Sequence, residues 1–125
     1  MKTKLFLGIQ VITGLLLVLF GLNGFLQFLA MPPANEALAA FGTAVYKTGY
    51  IFPIMAFLEL IAGLAFIFNK YSALMAVLLM PVMLNAFLAH VFLDMNGIEP
   101  SALIVFALIL IMIKNKTAYA LIFKA

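Results

Sequence analysis

Glu59 stands inside an apolar stretch, 50–68, with no lysine closer than Lys47 before it and Lys70 after it. A bare charge at the centre of a bilayer costs roughly 2.5 kcal/mol or more. A carboxyl at such a place is protonated, paired or functional. His90 is the only histidine, and it too lies in an apolar stretch. A carboxyl and an imidazole can each give or take a proton, so Glu59 and His90 are the candidate catalytic groups. Asn23, Gln27, Tyr50 and Asn85 can hydrogen-bond a ligand and are the candidate binding groups.

These groups must be positioned by a membrane protein. The chain has 125 residues, 68% hydrophobic and 9% charged, where soluble domains carry about a quarter charged residues. So few charges cannot solvate a surface. The absence of cysteine excludes thiol redox chemistry, disulfides and Cys-ligated metals within the chain. One histidine excludes a bis-His haem within one subunit, and no metal site is expected. The net charge of +3 comes from lysines with no arginine, which points to topology and lipid headgroups rather than nucleic acid.

Four apolar segments, about 5–29, 49–68, 72–93 and 98–114, fit one all-α, four-helix integral membrane bundle filling 1–125. The fourth is short, with Lys114 and Lys116 able to snorkel to headgroups. Lys2, Lys4, Lys70, Lys114, Lys116 and Lys124 fall on one side of a four-span arrangement, against Lys47 on the other. The positive-inside rule then puts both termini in the cytoplasm. Lys2 and Lys4 also suit a signal peptide, but the apolar run is long and no A-x-A-like site follows, so an uncleaved span is expected. Pro32 and Pro33 stop the first span. Asn35 is the expected N-cap of a short extra helix through Ala44, with Ala37, Leu38, Phe41 and Val45 at helical spacing. That helix reads equally as a connector or as a lid.

Counting residues from the cytoplasmic side, Gln27 is outermost, Asn23, Tyr50 and His90 lie in the outer half, and Asn85 is deeper. Glu59 is deepest, near the midplane. The taper suggests an outward-facing cavity between the first three spans, with Glu59 at its floor. Tyr50 and Glu59 are nine residues apart and share that cavity only if Pro53 distorts the helix. Pro81 leaves the Val77 carbonyl without its helical donor, so a protonated Glu59 could donate to it or to Asn85. Structural alternatives stand beside each reading. Asn23 and Gln27 suit interhelical hydrogen bonds, His90 a bond to Asp94, and Asn85 support of the Pro81 kink. Gly14, Gly21 and Gly63 read as close helix contacts.

The run Gly21-Leu22-Asn23-Gly24-Phe25-Leu26-Gln27-Phe28, then Pro32-Pro33, Gly49-Tyr50-Ile51-Phe52-Pro53, Glu59 with Gly63, Asn85, and His90-x-Phe92-Leu93 resembles the DoxX-like membrane proteins over roughly 5–113. The resemblance implies a bacterial inner-membrane, four-helix protein. The family takes its name from a subunit of a thiosulfate–quinone oxidoreductase, so the implied ligand is a quinone and the implied partner a redox protein. The family's recurring polar positions fall on Asn23, Glu59, Asn85 and His90. Relatives often carry a basic residue or histidine where this chain has Gly24 and Gln27, which weakens a charged substrate site on the first helix.

Three functions follow as expectations. The first is a redox-associated subunit, without a complete catalytic motif of its own, that binds a quinone or similar apolar molecule. The second is a small proton-coupled transporter using Glu59. The third is a non-enzymatic membrane scaffold. Homo-oligomerisation is compatible with all three.

Overall fold

The computed structural model describes residues 2–26 and 34–124. The expected end of the first span at Leu29, the Pro32–Pro33 stop and Gln27 lie outside the described residues. Five α-helices follow in order: α1 Lys2–Leu26, α2 Glu36–Lys47, α3 Ile51–Phe68, α4 Ser72–Leu93 and α5 Glu99–Lys114. A 3-10 turn, Lys116–Tyr119, follows α5. The described residues contain no strand.

α1, α3 and α4 are long and apolar enough to cross a membrane. α5 has 16 residues, short of the roughly 20 that a perpendicular span needs. Its start is set by Pro100 near the N-terminus, where a missing N–H costs nothing. Pro53 likewise falls in the first turn of α3, so the distortion that Tyr50 and Glu59 would need in order to share a cavity is absent: no helical hydrogen bond is lost there. The α3–α4 turn is sharp. Asn69 takes a left-handed conformation at φ 55°, and the Lys70 N–H reaches back to the Ala65 carbonyl in the manner of a Schellman cap.

α1, α3, α4 and α5 share one core. Leu17, Phe66, Leu79, Leu108 and Ile111 are its largest fully buried apolar side chains. The main contacts run α1 to α3, α3 to α4, α4 to α5, and α5 back to α1, with α2 resting on α3 and α4. The α1–α3 contact is the most extensive, and its cause is local. A Cβ built on Gly14 would lie 2.6 Å from the Gly63 carbonyl oxygen, and one on Gly63 would lie 2.7 Å from the Gly14 oxygen. A Cβ on Gly21 would meet the Ala56 carbonyl at 3.0 Å. The two backbones thus touch where no side chain fits, as the glycine spacing suggested.

One end of the bundle is tied by a polar network. The Gln10 amide, wholly buried, donates to the Phe66 carbonyl at 2.9 Å, the Asn69 side chain at 2.9 Å and the Ser72 hydroxyl at 3.0 Å. Lys114 donates to Gln10 Oε1 at 2.8 Å and to Asn69 Oδ1 at 3.1 Å. The Tyr119 hydroxyl donates to the Ala73 carbonyl at 2.7 Å, folding the last turn back onto α4. The start of α1, end of α3, start of α4 and end of α5 meet here, so neighbouring helices run antiparallel.

Gly63→Val should weaken the fold by about 1–3 kcal/mol, because the backbones must separate to admit the side chain. Denaturation in lipid micelles measures it. Gly8→Ala, with nothing within 4 Å of its Cβ, should leave stability unchanged or slightly higher.

Candidate functional site

The same face of α3 serves two purposes along its length. Ala62, Gly63 and Phe66 are buried in the core, while Phe52, Met55, Ala56 and Glu59 line a cavity of about 830 Å³. Glu59 stands where the filled stripe ends and the hollow begins. α4 repeats the pattern: Met75, Ala76, Leu79 and Met83 are buried, and His90, two turns beyond Met83 on the same face, lines the cavity. α1 contributes Phe20, Asn23 and Gly24. The start of α5 and the loop before it contribute Asn96, Gly97, Pro100, Ser101 and Ile104.

α2 covers this hollow with Leu38 and Tyr46. Leu38, Gly42 and Val45 are its half-buried residues, whereas Ala37 and Phe41, expected on the same face, are exposed. Asn35 caps α2, accepting from the Leu38 N–H at 2.9 Å, as expected from sequence, and the helix continues to Lys47 rather than Ala44. The cap is also a latch. The Asn35 N–H donates to Asp94 Oδ2 at 2.7 Å, and the Asn35 amide donates to the Leu93 carbonyl at 2.6 Å. The other Asp94 oxygen accepts from the Asn96 N–H at 3.0 Å. One carboxylate therefore ties α2 and the α4–α5 loop to the end of α4.

His90 Nδ1 lies 3.1 Å from the Asp94 carbonyl oxygen. A carbonyl only accepts, so Nδ1 is the donor, and in the neutral tautomer of the ring this leaves Nε2 as an acceptor. The expected His90–Asp94 link exists, through the backbone rather than the carboxylate. No hydrogen bond or ion pair among the described residues engages the Glu59 carboxyl. The Ser101 hydroxyl is committed to the Ile98 carbonyl at 2.9 Å. The site thus combines a carboxyl at the floor, an imidazole acceptor higher up, Asn23, and apolar walls. Among the described residues no group of three His, Cys, Asp or Glu could hold a metal.

Of the residues singled out from sequence, Asn23, Glu59 and His90 come together in this cavity. Tyr50 precedes α3, is 59% exposed and does not line it. Asn85 does not line it either and is exposed. Asn85 comes two positions after Met83, which is on the buried face, a rotation of about 200°. Pro81 and Val77 are exposed with Asn85, on the side of α4 away from the cavity-lining face, and no hydrogen bond among the described residues joins Glu59 to the Val77 carbonyl or the Asn85 amide, the acceptors weighed for it from sequence. Sequence reasoning missed the bonds of Asp94 to Asn35 and Asn96, Tyr46 and the α5 contribution, and it missed the Gln10–Lys114 network altogether. Gln10 had a readable signal: it precedes Gly14, Leu17 and Gly21 at spacings of four, three and four, the face that packs on α3.

No family model, no curated protein and no solved structure matches this chain.

Asp94 lies outside the apolar helices, and its carboxyl is held below the ordinary carboxylate range by the Asn35 N–H first and the Asn96 N–H second. A lowered group stabilises above its unfolded pKa, near 3.9, and the contribution is lost as pH falls through the lower folded value. Protection of α2 amides, corrected for intrinsic exchange, should therefore be flat from pH 8 to about 5 and fall only below about pH 4. In Asp94→Ala it should be low throughout.

Proposed function

We propose that this chain is a DoxX-like protein of the bacterial inner membrane that binds a quinone or similar apolar small molecule, as a redox-associated subunit with a partner that carries the electrons. The single observation behind this reading is a cavity of about 830 Å³ with apolar walls and a few convergent polar groups, Glu59, His90 and Asn23. That volume and lining are typical of small-molecule sites. A flat ring with an oxygen at each end suits the arrangement. His90 Nε2 accepts from a ligand hydroxyl near the lid, and the Glu59 carboxyl exchanges a hydrogen bond or a proton with the far end. A bound quinone would supply the redox chemistry, and these side chains would hold it and move its proton.

The same reading has the chain crossing the membrane four times. α5, at about 1.5 Å per residue, covers about 24 Å, and the stems of Lys114 and Lys116 extend its reach. With six of seven lysines at the Gln10 end, that end faces the cytoplasm and the cavity opens outward. A carboxyl with no protein partner among the described residues, on a helix apolar enough to cross a membrane, also favours one alternative, a proton-coupled transporter built on Glu59.

Titration of the purified protein with a short-chain quinone and its quinol should show saturable binding. Glu59→Gln and His90→Ala should each weaken it about 2- to 15-fold, the worth of one hydrogen bond. Absence of binding by the wild-type protein would refute the quinone reading. Substrate flux in proteoliposomes that vanishes in Glu59→Gln, without quinone binding, would establish the transporter instead.

A further inference from the structure

Asn85 is a polar group on the outward face of a helix apolar enough to span a membrane. It lies about 12 Å from the Leu93 end of α4, well within hydrocarbon depth. Its carboxamide has no partner among the described residues. One turn earlier Pro81 removes the N–H that the Val77 carbonyl would otherwise bind, and Val77 is exposed as well. Lipid offers neither group a hydrogen bond.

The residues around Asn85 have a pattern. Leu74, Leu78, Pro81, Asn85, Leu88 and Phe92 are all exposed, and they follow one another at spacings of four, three, four, three and four. Within an exposed face that also holds Val77, Leu84 and Val91, these six positions have the a/d spacing of a coiled-coil seam, running nearly the length of α4 on the side away from the core. Asn85 takes the position equivalent to Leu78 and Phe92, where a single asparagine fixes register in two-stranded coils. The proline opposite that level is small and lets backbones approach.

We propose that this stripe is a dimer interface, and that its occupant is the α4 of a second copy of this chain. An amide is both donor and acceptor, so a two-fold axis at Asn85 presents each carboxamide with the complementary group of its mate. Two copies in one membrane with one orientation place Asn85 at the same depth without further adjustment. The interface lies away from the cavity, so dimerisation leaves the proposed ligand site accessible.

The chain has no cysteine, so single-thiol variants report directly on proximity. In oxidised proteoliposomes Leu88→Cys should give disulfide-linked dimers, and Leu103→Cys, exposed on α5, should not. Fluorescence transfer between labelled copies, followed across protein-to-lipid ratios, should show a monomer–dimer equilibrium that Asn85→Ala weakens about 3- to 30-fold. Helicity and thermal stability of that variant serve as the folding control. A monomer at every ratio, an equilibrium indifferent to Asn85→Ala, or equal linkage through Leu103→Cys would overturn the proposal. So would linkage of Leu88→Cys only to a different protein in native membranes.

Discussion

The structure depends on the direct contact of two backbones. α1 and α3 are apolar on nearly every side, so burial of greasy surface cannot choose a facing in lipid, where the surroundings are as apolar as the interface. Gly14, Gly21 and Gly63 make the choice, because only there can two helices approach to carbonyl distance. Once that contact is set, the rotation of α3 about its axis is set too. Phe66 then points into the core and Glu59, seven residues earlier and so on the same face, points into the space between the helices. The glycines therefore position the carboxyl although none of the three touches the cavity.

Polar groups at the two ends finish the arrangement in different ways. At one end Gln10 spends its amide on three acceptors, and Lys114 covers its oxygen, so α1, the α3–α4 turn and α5 share one closed set of bonds. That end is filled by Phe66, Leu17, Leu108 and Ile111. At the other end the ties lie above the hollow rather than within it. Asp94 gathers the Asn35 and Asn96 N–H groups, and His90 attaches its ring to the same residue's carbonyl. Rigid packing at one end and a hydrogen-bonded rim at the other suit a molecule whose site must admit something from one side.

Much of this was legible in the residues. Apolar length gave the helices, Asn35 gave the cap of α2, and the glycines gave the close contact. Depth counted along each helix placed Glu59 at the floor, below His90 and Asn23. Depth alone misleads where facing matters. Asn85 lies at a suitable depth but about 200° around α4 from Met83, and that rotation could have been counted from the sequence. The Asp94 latch could not, because it joins residues 59 apart through a backbone N–H and carries no periodic signature. The face of α2 was obscured for a related reason: a helix resting on a rim buries little of any face, so Ala37 and Phe41 stay exposed despite their spacing.

The hollow itself has a compositional cause. Gly24, Ala34, Gly49, Ala56, Gly97 and Ser101 are among its lining residues, so this half of the interior lacks the side-chain volume that fills the other half. Empty space forfeits dispersion contacts, which makes an occupant favourable. A lipid acyl chain could fill the volume and satisfy the apolar walls. It would leave the Glu59 carboxyl facing hydrocarbon, with a desolvation cost of some kcal/mol for want of a hydrogen bond. Water would satisfy Glu59 and His90 but wet the walls of Phe20, Phe52, Met55, Met83 and Ile104. The occupant that would meet both demands is an apolar molecule with a polar atom at each end. Under the proposed function, Glu59, which alone would be an anomaly in an apolar helix, is the feature that would discriminate such a ligand from the lipid around it.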